Sequence, residues 1–584
     1  EARDGLVRLS WNVQPGELPV TSVSIRREGP GVIVSWRTLS GSPESFEDLR
    51  VENGIRYGYT LQAADQTGVN GPLSAEASAT PMTVDWPMFQ RDGLHGACDP
   101  GLDLSPPLGE RWRAPLASAA YGSGGGSAAV VGGRVFICGM DGDVRAYDSQ
   151  TGATLWVQSG YPWVGNTPAV FGGRVYVTHG HGLTVFDAES GEVEWPLTGP
   201  VAGPWGATAV GIGQESSPII YRGILYVGMI RQNQFQLVAV DVDPVSPRYR
   251  QVIWSVRYTK YVKTSPGAAG GKVYMASGGG TIQALDALTG ATIWTGTVGS
   301  VASTEAISLS VVPPMVFVVG ENGYLYAFDA ELGGTPWSTN VAGAYSSPAV
   351  SGVTIFVSSS FQSAVFALNP VARSIVWAKN SFTITGAGLT QSGPLVAAER
   401  VHVYSTNGQV FTLDGRLGDK QDVLTLPGTP LIPAHLAGGA DHLYLVSTAG
   451  YLIAVTSVPP APEGLSILWN GNALTLSWVA PVANRFPVAG YRVFRSTVRG
   501  ERGVQIADLA GAAITSCSDI APASGVSYFY SVVALDSRGV MGRVSAQAWT
   551  GIFPPPIFVV QITGTNPSAG FCAGTPIQVI GAAT

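Results

Sequence analysis

The sequence predicts an all-β protein in which an eight-bladed β-propeller is flanked by β-sandwich domains. Three observations support this fold class. Only 12% of the 584 residues are charged, whereas there are 75 Gly, 40 Pro and 15 Trp, a composition typical of many short strands joined by turns. A repeat of about 40 to 45 residues, the length of one propeller blade, runs through the middle of the chain. The segments on either side of it have a different strand pattern.

The repeat is marked by an Asp or Asn that precedes a Trp at a constant spacing. The pairs are Asp148 and Trp156, Asp187 and Trp195, Asp286 and Trp294, Asp329 and Trp337, and Asn369 and Trp377. In a further copy Asp241 and Trp254 lie farther apart, which predicts an insertion. The acidic or amide side chain can accept hydrogen bonds from nearby amides, and a following Gly can close the hairpin. We expect the Trp ring to fill the space between blades.

Eight small-residue openings indicate eight blades. They are Ser127, Thr167, Ser217, Ser265, Thr304, Ser347, Ser392 and a last one near Thr429. The last copy, from His442 to Val455, has no Trp-bearing fourth strand after it, and an unpaired outer strand would expose a sheet edge. We predict that the segment from Gly109 to Leu116, which contains Trp112, is the missing strand and closes the ring. The propeller domain is then residues 83–458.

Two copies of the repeat, LTVFDAESGEVEW and IQALDALTGATIW, resemble the repeat of quinoprotein (PQQ-like) propellers. DWPMFQRDGLHG, residues 85–96, resembles the lead-in that often precedes them. The resemblance implies the fold but not an activity, because the family includes quinone- and calcium-dependent dehydrogenases as well as cofactor-free scaffolds such as the outer-membrane assembly lipoprotein. The dehydrogenases have two adjacent cysteines, whereas Cys98, Cys138, Cys517 and Cys572 are all separate. We therefore predict no cofactor, no metal site and no enzymatic activity.

The flanking segments resemble fibronectin type III domains. In residues 1–82 the resemblance lies in Leu9-Ser10-Trp11 and in the segment from Arg56 to Ser74, with Tyr57 as the corner tyrosine. Residues 459–551 repeat the pattern, from Leu474 to Trp478 and from Tyr528 to Ser545. Residues 552–584 resemble the start of a further immunoglobulin-like module of the TIG type. That segment is too short to bury its own core, so we expect that it is cut from a longer chain or completed by a partner. The usual first strand of the first domain is missing or truncated, so we expect that further chain precedes Glu1.

One face of the propeller should carry the loops that enter each first strand and the hairpins between second and third strands. The candidate binding residues on that face are Tyr161, Trp163, His179, His181, Trp205, Arg231, Tyr258, Tyr261 and Lys263. Exposed aromatic rings beside polar groups suit recognition of proteins or sugars. Alternatively, Trp163 and Trp205 fill gaps between blades.

Three weaker patterns have a structural and a chemical interpretation. His179 and His181 have the spacing of metal ligands on a strand, but no third ligand is visible, which favours a turn with solvated histidines. Asp141 and Asp143 are better explained by a hairpin turn than by a calcium loop. Glu215 and Glu305 lie at blade openings and could line the central channel, where paired carboxylates could perform acid–base chemistry.

Charge and hydropathy exclude two classes of function. The net charge is −7 and no run of Lys and Arg occurs, so the electrostatic footprint of a nucleic-acid binder is missing. The apolar runs are shorter than the roughly 20 residues that a transmembrane helix needs. The leading hypothesis is a non-catalytic modular scaffold of the cell surface or extracellular space, with the periplasm as an alternative location. Its propeller face would dock other proteins of an envelope or extracellular assembly. The alternatives are binding or processing of polysaccharide and a quinone-dependent dehydrogenase.

Overall fold

The protein consists of strands and turns wherever its structure is described. The computed structural model describes residues 2–3, 6–12, 18–29, 32–41, 43–48, 51, 56–80, 86–92, 94–116, 126–139, 141–161, 166–180, 182–195, 216–231, 234–260, 264–301, 306–308, 311–342, 346–359, 362–380, 393–426, 435–447, 449–469, 473–482, 484–520, 523 and 525–553. These residues contain no helix, and so none that is long and apolar enough to cross a membrane. The predicted all-β class is confirmed.

Each propeller blade is an antiparallel sheet of four strands, A to D from the inside outwards. Blade 1 comprises Ala129–Val131, Arg134–Cys138, Val144–Asp148 and Thr154–Gln158, and blade 2 comprises Ala169–Phe171, Arg174–His179, Gly182–Asp187 and Val193–Trp195. Blade 3 comprises Ile219–Tyr221, Ile224–Arg231, Gln234–Asp241 and Val252–Tyr258. Blade 4 comprises Gly267–Ala269, Lys272–Ser277, Thr281–Asp286 and Thr292–Thr297. Blade 5 comprises Ala306–Ser308, Met315–Val319, Tyr324–Asp329 and Gly333–Asn340. Blade 6 comprises Ala349–Ser351, Thr354–Ser359, Ala364–Asn369 and Ser374–Lys379. Blade 7 comprises Leu395–Ala397, Arg400–Tyr404, Gln409–Asp414 and Lys420–Thr425.

Blade 8 is assembled from both ends of the propeller sequence. Its A, B and C strands are Ala437–Gly439, His442–Ser447 and Tyr451–Ser457, and its D strand is Leu108–Pro115. The D strand therefore begins and ends one residue before the predicted segment. The inner strand of each blade contacts that of the next blade, and Ala437–Gly439 contacts Ala129–Val131, so the ring of eight blades is closed.

The turn between strands C and D has the predicted chemistry. In blade 1 the Asp148 carboxylate accepts hydrogen bonds from the amides of Gln150 and Thr151, at 3.1 and 2.8 Å. Hydrogen bonds from the turn, chiefly from the Thr151 hydroxyl, lower the pKa of Asp148. Gly152 then adopts a φ of 72°, a conformation that favours glycine.

The tryptophan of one blade packs against the C–D turn of the next blade. The Trp156 indole N–H donates to the Ala188 carbonyl at 3.2 Å. A Cβ on Gly191 would lie 2.7 Å from the Trp156 ring, so only glycine allows this approach. The same donation is made by Trp112 to Ser149, Trp254 to Ala287, Trp294 to Ala330 and Trp377 to Gly415. The predicted location of these rings between blades is confirmed.

Trp195 departs from this pattern because of the insertion in blade 3. The insertion replaces the short C–D turn, and the Arg250 guanidinium lies 5.1 Å from the centre of the Trp195 ring. The indole is fully buried, and among the described residues its N–H has no hydrogen-bond partner. The insertion thus exchanges a hydrogen bond for a cation–π contact.

The N-terminal segment forms a β-sandwich. One sheet contains Ala2–Arg3, Leu6–Ser10 and Ser45–Asp48, and the other contains Val20–Gly29, Val32–Ser40, Tyr57–Asp65, Asn70–Leu73 and Ala77–Ala79. Val7, Ile25 and Tyr57 belong to its core. The Tyr59 hydroxyl donates to Asp48 at 3.0 Å, and Asp48 is also paired with Arg27 at 2.8 Å.

The C-terminal sandwich belongs to a separate compact unit that spans residues 105–109 and 457–584. Its sheets contain Glu463–Trp469, Leu474–Val479 and Ser516–Asp519, and Val488–Ser496, Val504–Ala510, Val526–Asp536, Met541–Val544 and Ala548–Phe553. The hydroxyl of Tyr530 donates to Asp519, which pairs with Arg495, as Tyr59, Asp48 and Arg27 do in the first sandwich. Most of the predicted further module at 552–584 lies outside the described residues.

Candidate functional site: the propeller axis and its two faces

The lead-in segment from Trp86 to Asp99 runs along the inner strands of the propeller; it is called the plug below. Trp86 forms a two-way backbone bridge with Val130 of blade 1, at 2.8 and 2.7 Å. Further plug carbonyls accept from the amides of four other blades: Pro87 from Val170, Leu94 from Ile307, Gly96 from Val350, and Ala97 from Val396, each at 2.7 or 2.8 Å. Cys98–Asp99 then pairs in parallel with Leu395–Ala397. The plug therefore binds the inward edges of five blades.

The plug is buried along most of its length. Trp86, Met88 and Phe89 are apolar and buried, while Arg91 pairs with Asp99 at 3.4 Å. Burial raises the pKa of the Asp92 carboxyl. The sequence resemblance identified this lead-in, but it did not show that the segment binds the inner strands of five blades.

A ring of small polar residues connects neighbouring blades where their inner strands begin. The amide of Ser127 donates to the Thr167 hydroxyl at 2.9 Å, that of Thr167 to Ser217 at 3.1 Å, and that of Ser217 to Ser265 at 2.9 Å. All four side chains are buried. Three of the predicted openings therefore have a structural role, because the hydroxyls of Thr167, Ser217 and Ser265 each accept a hydrogen bond from the blade before them.

The last two positions of this ring differ from the prediction. Each residue of this ring lies two positions before the first residue of an inner strand. In blades 7 and 8 that position is Gly393 and His435, not Ser392 and a residue near Thr429. The Gly393 amide approaches His435 Nδ1 at 3.4 Å, so the imidazole replaces the hydroxyl as acceptor. Its ring also lies edge-on to Phe89 of the plug, with centroids 4.6 Å apart. Burial lowers the pKa of His435 to about 4.

Two of the predicted face residues lie inside the propeller wall. His179 is fully buried, and its Nε2 lies 2.9 Å from the Thr184 hydroxyl, so the expectation of a solvated histidine is wrong for this residue. Tyr161 packs edge-on against His179 and Phe186, at 5.2 and 5.3 Å between ring centroids. Burial raises the pKa of Tyr161. Both residues support the packing of blades 1 and 2.

The remaining predicted face residues are only partly described. Tyr258 ends strand D of blade 3 opposite Phe235. Arg231 ends strand B of the same blade, opposite Gln234, but its side chain lies outside the described residues. Trp163, His181, Trp205, Tyr261, Lys263, Glu215 and Glu305 also lie outside them. A ligand-binding role for this face stays a prediction.

In blade 1, two aspartates of the hairpin between strands B and C form ion pairs with an arginine. Asp141 and Asp143 pair with Arg145 at 2.7 and 2.6 Å, and the guanidinium is buried. The Asp143 amide also donates to Asp141, which fits the predicted hairpin turn. Within the described part of the chain, no group of three His, Cys, Asp or Glu side chains could hold a metal ion.

Two observations on the described residues do not favour a quinone cofactor beside the inner strands. The plug lies against the inward edges of five blades, and its backbone is hydrogen-bonded to them. Cys138 is buried, and burial raises the pKa of its thiol. Burial likewise raises the pKa of the Cys98 thiol, which sits in the plug. Both thiols are therefore held in the protonated, poorly nucleophilic form.

The face that carries the A–B and C–D turns, called the turn face below, presents apolar side chains in consecutive blades. The C–D turns of blades 4 to 7 present Leu288, Leu332, Val371 and Leu417, which are 58, 78, 63 and 64% exposed. The A–B turns of blades 5 and 6 add Val312 and Val353. These six residues are called the apolar arc. The corresponding turns of blades 1 and 2 carry polar residues such as Gln150 and Glu189.

The turn face of blade 3 is contacted by the N-terminal sandwich. Arg37 donates to the Val245 carbonyl at 2.5 Å and lies 3.6 Å from the Asp243 carboxylate. Sequence reasoning missed the apolar arc because it considered only the opposite face. The sequence did contain a signal for these residues. An apolar residue inside a D-x-x-x-G turn lies outside the strands, so its side chain has no blade core to pack into.

Fold, repeat and plug together define a quinoprotein-like propeller. The chain belongs to the family described as outer membrane protein assembly factor BamB, whose model matches residues 104–244, 245–316 and 310–457. A comparison with curated proteins gave no match.

Solved structures of similar fold include two alcohol dehydrogenases and BamB. Quinohemoprotein alcohol dehydrogenase from Comamonas testosteroni is 14% identical, with a TM-score of 0.52 over 66% of this chain and 83% of that one. Quinohemoprotein alcohol dehydrogenase ADHIIG from Pseudomonas putida HK5 is 13% identical, with a TM-score of 0.50 over the same shares. BamB from Moraxella catarrhalis is 17% identical, with a TM-score of 0.48 over 60% of this chain and 98% of that one. At these identities the likeness shows the fold alone.

Proposed function

We propose that this protein is a non-catalytic scaffold of the cell surface or extracellular space, and that its propeller docks other proteins of an envelope assembly. The apolar arc is the observation that carries the proposal. Four successive turns expose a Leu or Val, and exposed apolar groups that recur in one region of a surface are typical of protein interaction sites. Docking at the turn face replaces docking at the opposite face as the favoured mode.

The plug supports a structural role for the axis. Its hydrogen bonds to five blades hold the inner strands in place. A rigid ring of this kind holds its turns in fixed positions, which lowers the entropic cost of docking a partner. Membership of a family described by outer membrane protein assembly points to the same class of function.

We also propose that the two sandwiches are fibronectin type III modules, over residues 1–82 and 459–551, that act as spacers. Their shared Tyr–Asp–Arg clusters, Tyr59 with Asp48 and Arg27, and Tyr530 with Asp519 and Arg495, support a common ancestry. In the second sandwich the Tyr528 hydroxyl accepts from the Ala523 amide at 2.8 Å, the kind of contact that a corner tyrosine makes.

Disruption of the apolar arc tests the docking role. The double variant Leu332→Asp, Leu417→Asp places two charges on the arc at exposed positions, so the fold should be retained. The full chain and the variant are crosslinked in the envelope fraction of the source cells, and the partners are identified by mass spectrometry. We expect at least about a tenfold loss of specific crosslinks in the variant, because an unpaired charge is costly to bury in an interface.

The control is Val498→Asp, an equivalent change at a half-exposed residue of the second sandwich, which should crosslink like the wild type. Recovery of the same partners at the same yield with the double variant would refute docking through the arc. A quinone absorbance band that appears when purified protein is mixed with quinone and calcium would favour the dehydrogenase alternative instead.

A further inference from the structure

The outer face of the second sandwich carries a stacked pair of aromatic rings beside a groove. Phe529 and Trp549 are directly opposite each other on neighbouring strands. Their rings lie nearly parallel, at 15°, with centroids 6.4 Å apart. Trp549 is 64% exposed, and it is the one Trp among the described side chains that is largely open to solvent. Phe529 thus supports one face of a largely exposed indole.

The fold itself does not require this pair. In the first sandwich the amide of Leu61 donates to the Ser74 hydroxyl, and the Ser74 amide donates back to Leu61. Val532 and Ser545 make the same two bonds in the second sandwich, which aligns the two domains residue by residue.

In that alignment, the positions of Phe529 and Trp549 are held by Gly58 and Ser78, which are also opposite each other in register. A sandwich of the same construction therefore forms with no aromatic residue at these two positions. Exposing an indole has a cost in apolar hydration, so the pair points to a role in binding.

Fixed polar groups line the groove next to the rings. Its volume is about 1010 Å³, and its lining includes Arg499, Glu501, Gln547, Ser527 and Trp549. The Gln547 side chain accepts from the Gly500 amide and donates to the Glu501 carbonyl, both at 2.8 Å. These two bonds hold the hairpin that contains Arg499 and Glu501 against the sheet.

A buried hydroxyl lies in the lining of the same groove. Ser531 is two residues beyond Phe529 on the same strand, so both side chains are on the outer face. Ser531 is 1% exposed, and its hydroxyl has no hydrogen-bond partner among the described residues. The open part of the groove thus combines a flat apolar platform with a wall of charged and amide side chains.

We propose that this groove is a carbohydrate-binding subsite in which a pyranose ring of a glycan chain stacks on Trp549. A pyranose presents C–H groups on one face and hydroxyls around its rim, which matches an indole platform beside Arg, Glu, Gln and Ser groups. A lipid would need a wider apolar surface than one indole, and the charged wall would disfavour it.

Binding of defined glycans to the full chain tests the subsite. The probes are a glycan array followed by isothermal titration with the best-bound hexasaccharide. We expect measurable binding of wild type and about a tenfold or greater loss of affinity for Trp549→Ala. Trp549→Phe should retain part of the affinity because it keeps a ring on the platform. Val504→Ala, a change at an exposed apolar residue of the same sandwich outside the groove, should bind like the wild type.

Three results would overturn the subsite: no glycan bound by wild type, an affinity of Trp549→Ala within twofold of wild type, or selective binding of proline-rich control peptides in place of glycans. Trp549 is exposed, so the loss of a fold does not complicate the comparison. Circular dichroism of each variant verifies this.

Discussion

At the residue scale, blades are joined by the contact between a tryptophan ring and a glycine of the next turn. Trp156→Ala should destabilise the propeller by about 3–5 kcal/mol, since it removes a buried aromatic ring and leaves a cavity. Denaturant unfolding of the propeller transition measures the loss. Trp549→Ala is the control, because an exposed ring should change stability by less than about 0.5 kcal/mol. A loss below about 1 kcal/mol for Trp156→Ala would contradict the packing described.

Substitutions at two glycines allow the cost of backbone strain to be measured separately from the cost of a steric clash. Gly191 and Gly173 have φ angles of 76° and 74°, but a Cβ on Gly191 would collide with Trp156, whereas one on Gly173 would meet nothing within 4 Å. Gly173→Ala should therefore cost only the left-handed conformation, about 1–2 kcal/mol. Gly191→Ala should cost about 1–3 kcal/mol more through overpacking. Equal losses in denaturant unfolding would show that the Trp156 ring moves aside freely.

Two buried histidines should make the propeller acid-sensitive. Burial lowers the pKa of His402 to about 3 and that of His435 to about 4, from 6.5. The unfolded chain therefore binds more protons than the folded one below pH 6.5, and stability falls as the pH drops from there towards 4. The slope is at most about 1.4 kcal/mol per pH unit for each histidine.

The measurement is the free energy of unfolding at pH 7, 6 and 5. His435→Ser restores the hydroxyl found at the same place in blade 1 and should flatten the curve. A pH profile identical to that of the wild type would mean that His435 titrates normally in the folded protein.

At the element scale, the blades could be predicted from sequence because copies of the repeat share the same kinds of turn and strand residues. The Asp148 turn and the Trp156 strand recur at one spacing, so each copy supports the others. The plug could not be predicted in this way. It binds through backbone groups such as the Pro87 and Gly96 carbonyls, which any sequence possesses. The burial of His179 was also hidden, because alternation along a strand does not tell which face meets a neighbouring blade.

The plug should control the rigidity of the inner strands. Trp86→Ala removes a fully buried ring next to the bridge with Val130. We expect faster amide exchange in Ala129–Val131 and Ala169–Phe171, measured by hydrogen–deuterium exchange and mass spectrometry. Val526–Asp536 in the second sandwich serves as the internal reference. Unchanged exchange at the inner strands would show that they are ordered without the plug.

At the scale of the whole molecule, the ring depends on a strand from outside the repeat. Replacing Leu108–Pro115 by a Gly/Ser segment of equal length leaves Tyr451–Ser457 as an open edge, which promotes association between chains. We expect a lower thermal midpoint for the propeller and oligomers in size-exclusion chromatography. A monomer of wild-type stability would mean that the ring closes without this strand.

Blade 8 also sets the order in which the protein can be completed during translation. The plug and Leu108–Pro115 leave the ribosome before any of their partners, and they must wait until blades 5 to 7 and then Tyr451–Ser457 are made. Contacts so distant in sequence form slowly. A nascent chain that stops short of Ser457 lacks part of strand C of blade 8, with which Leu108–Pro115 pairs. The ring therefore closes only after the whole propeller has been synthesised.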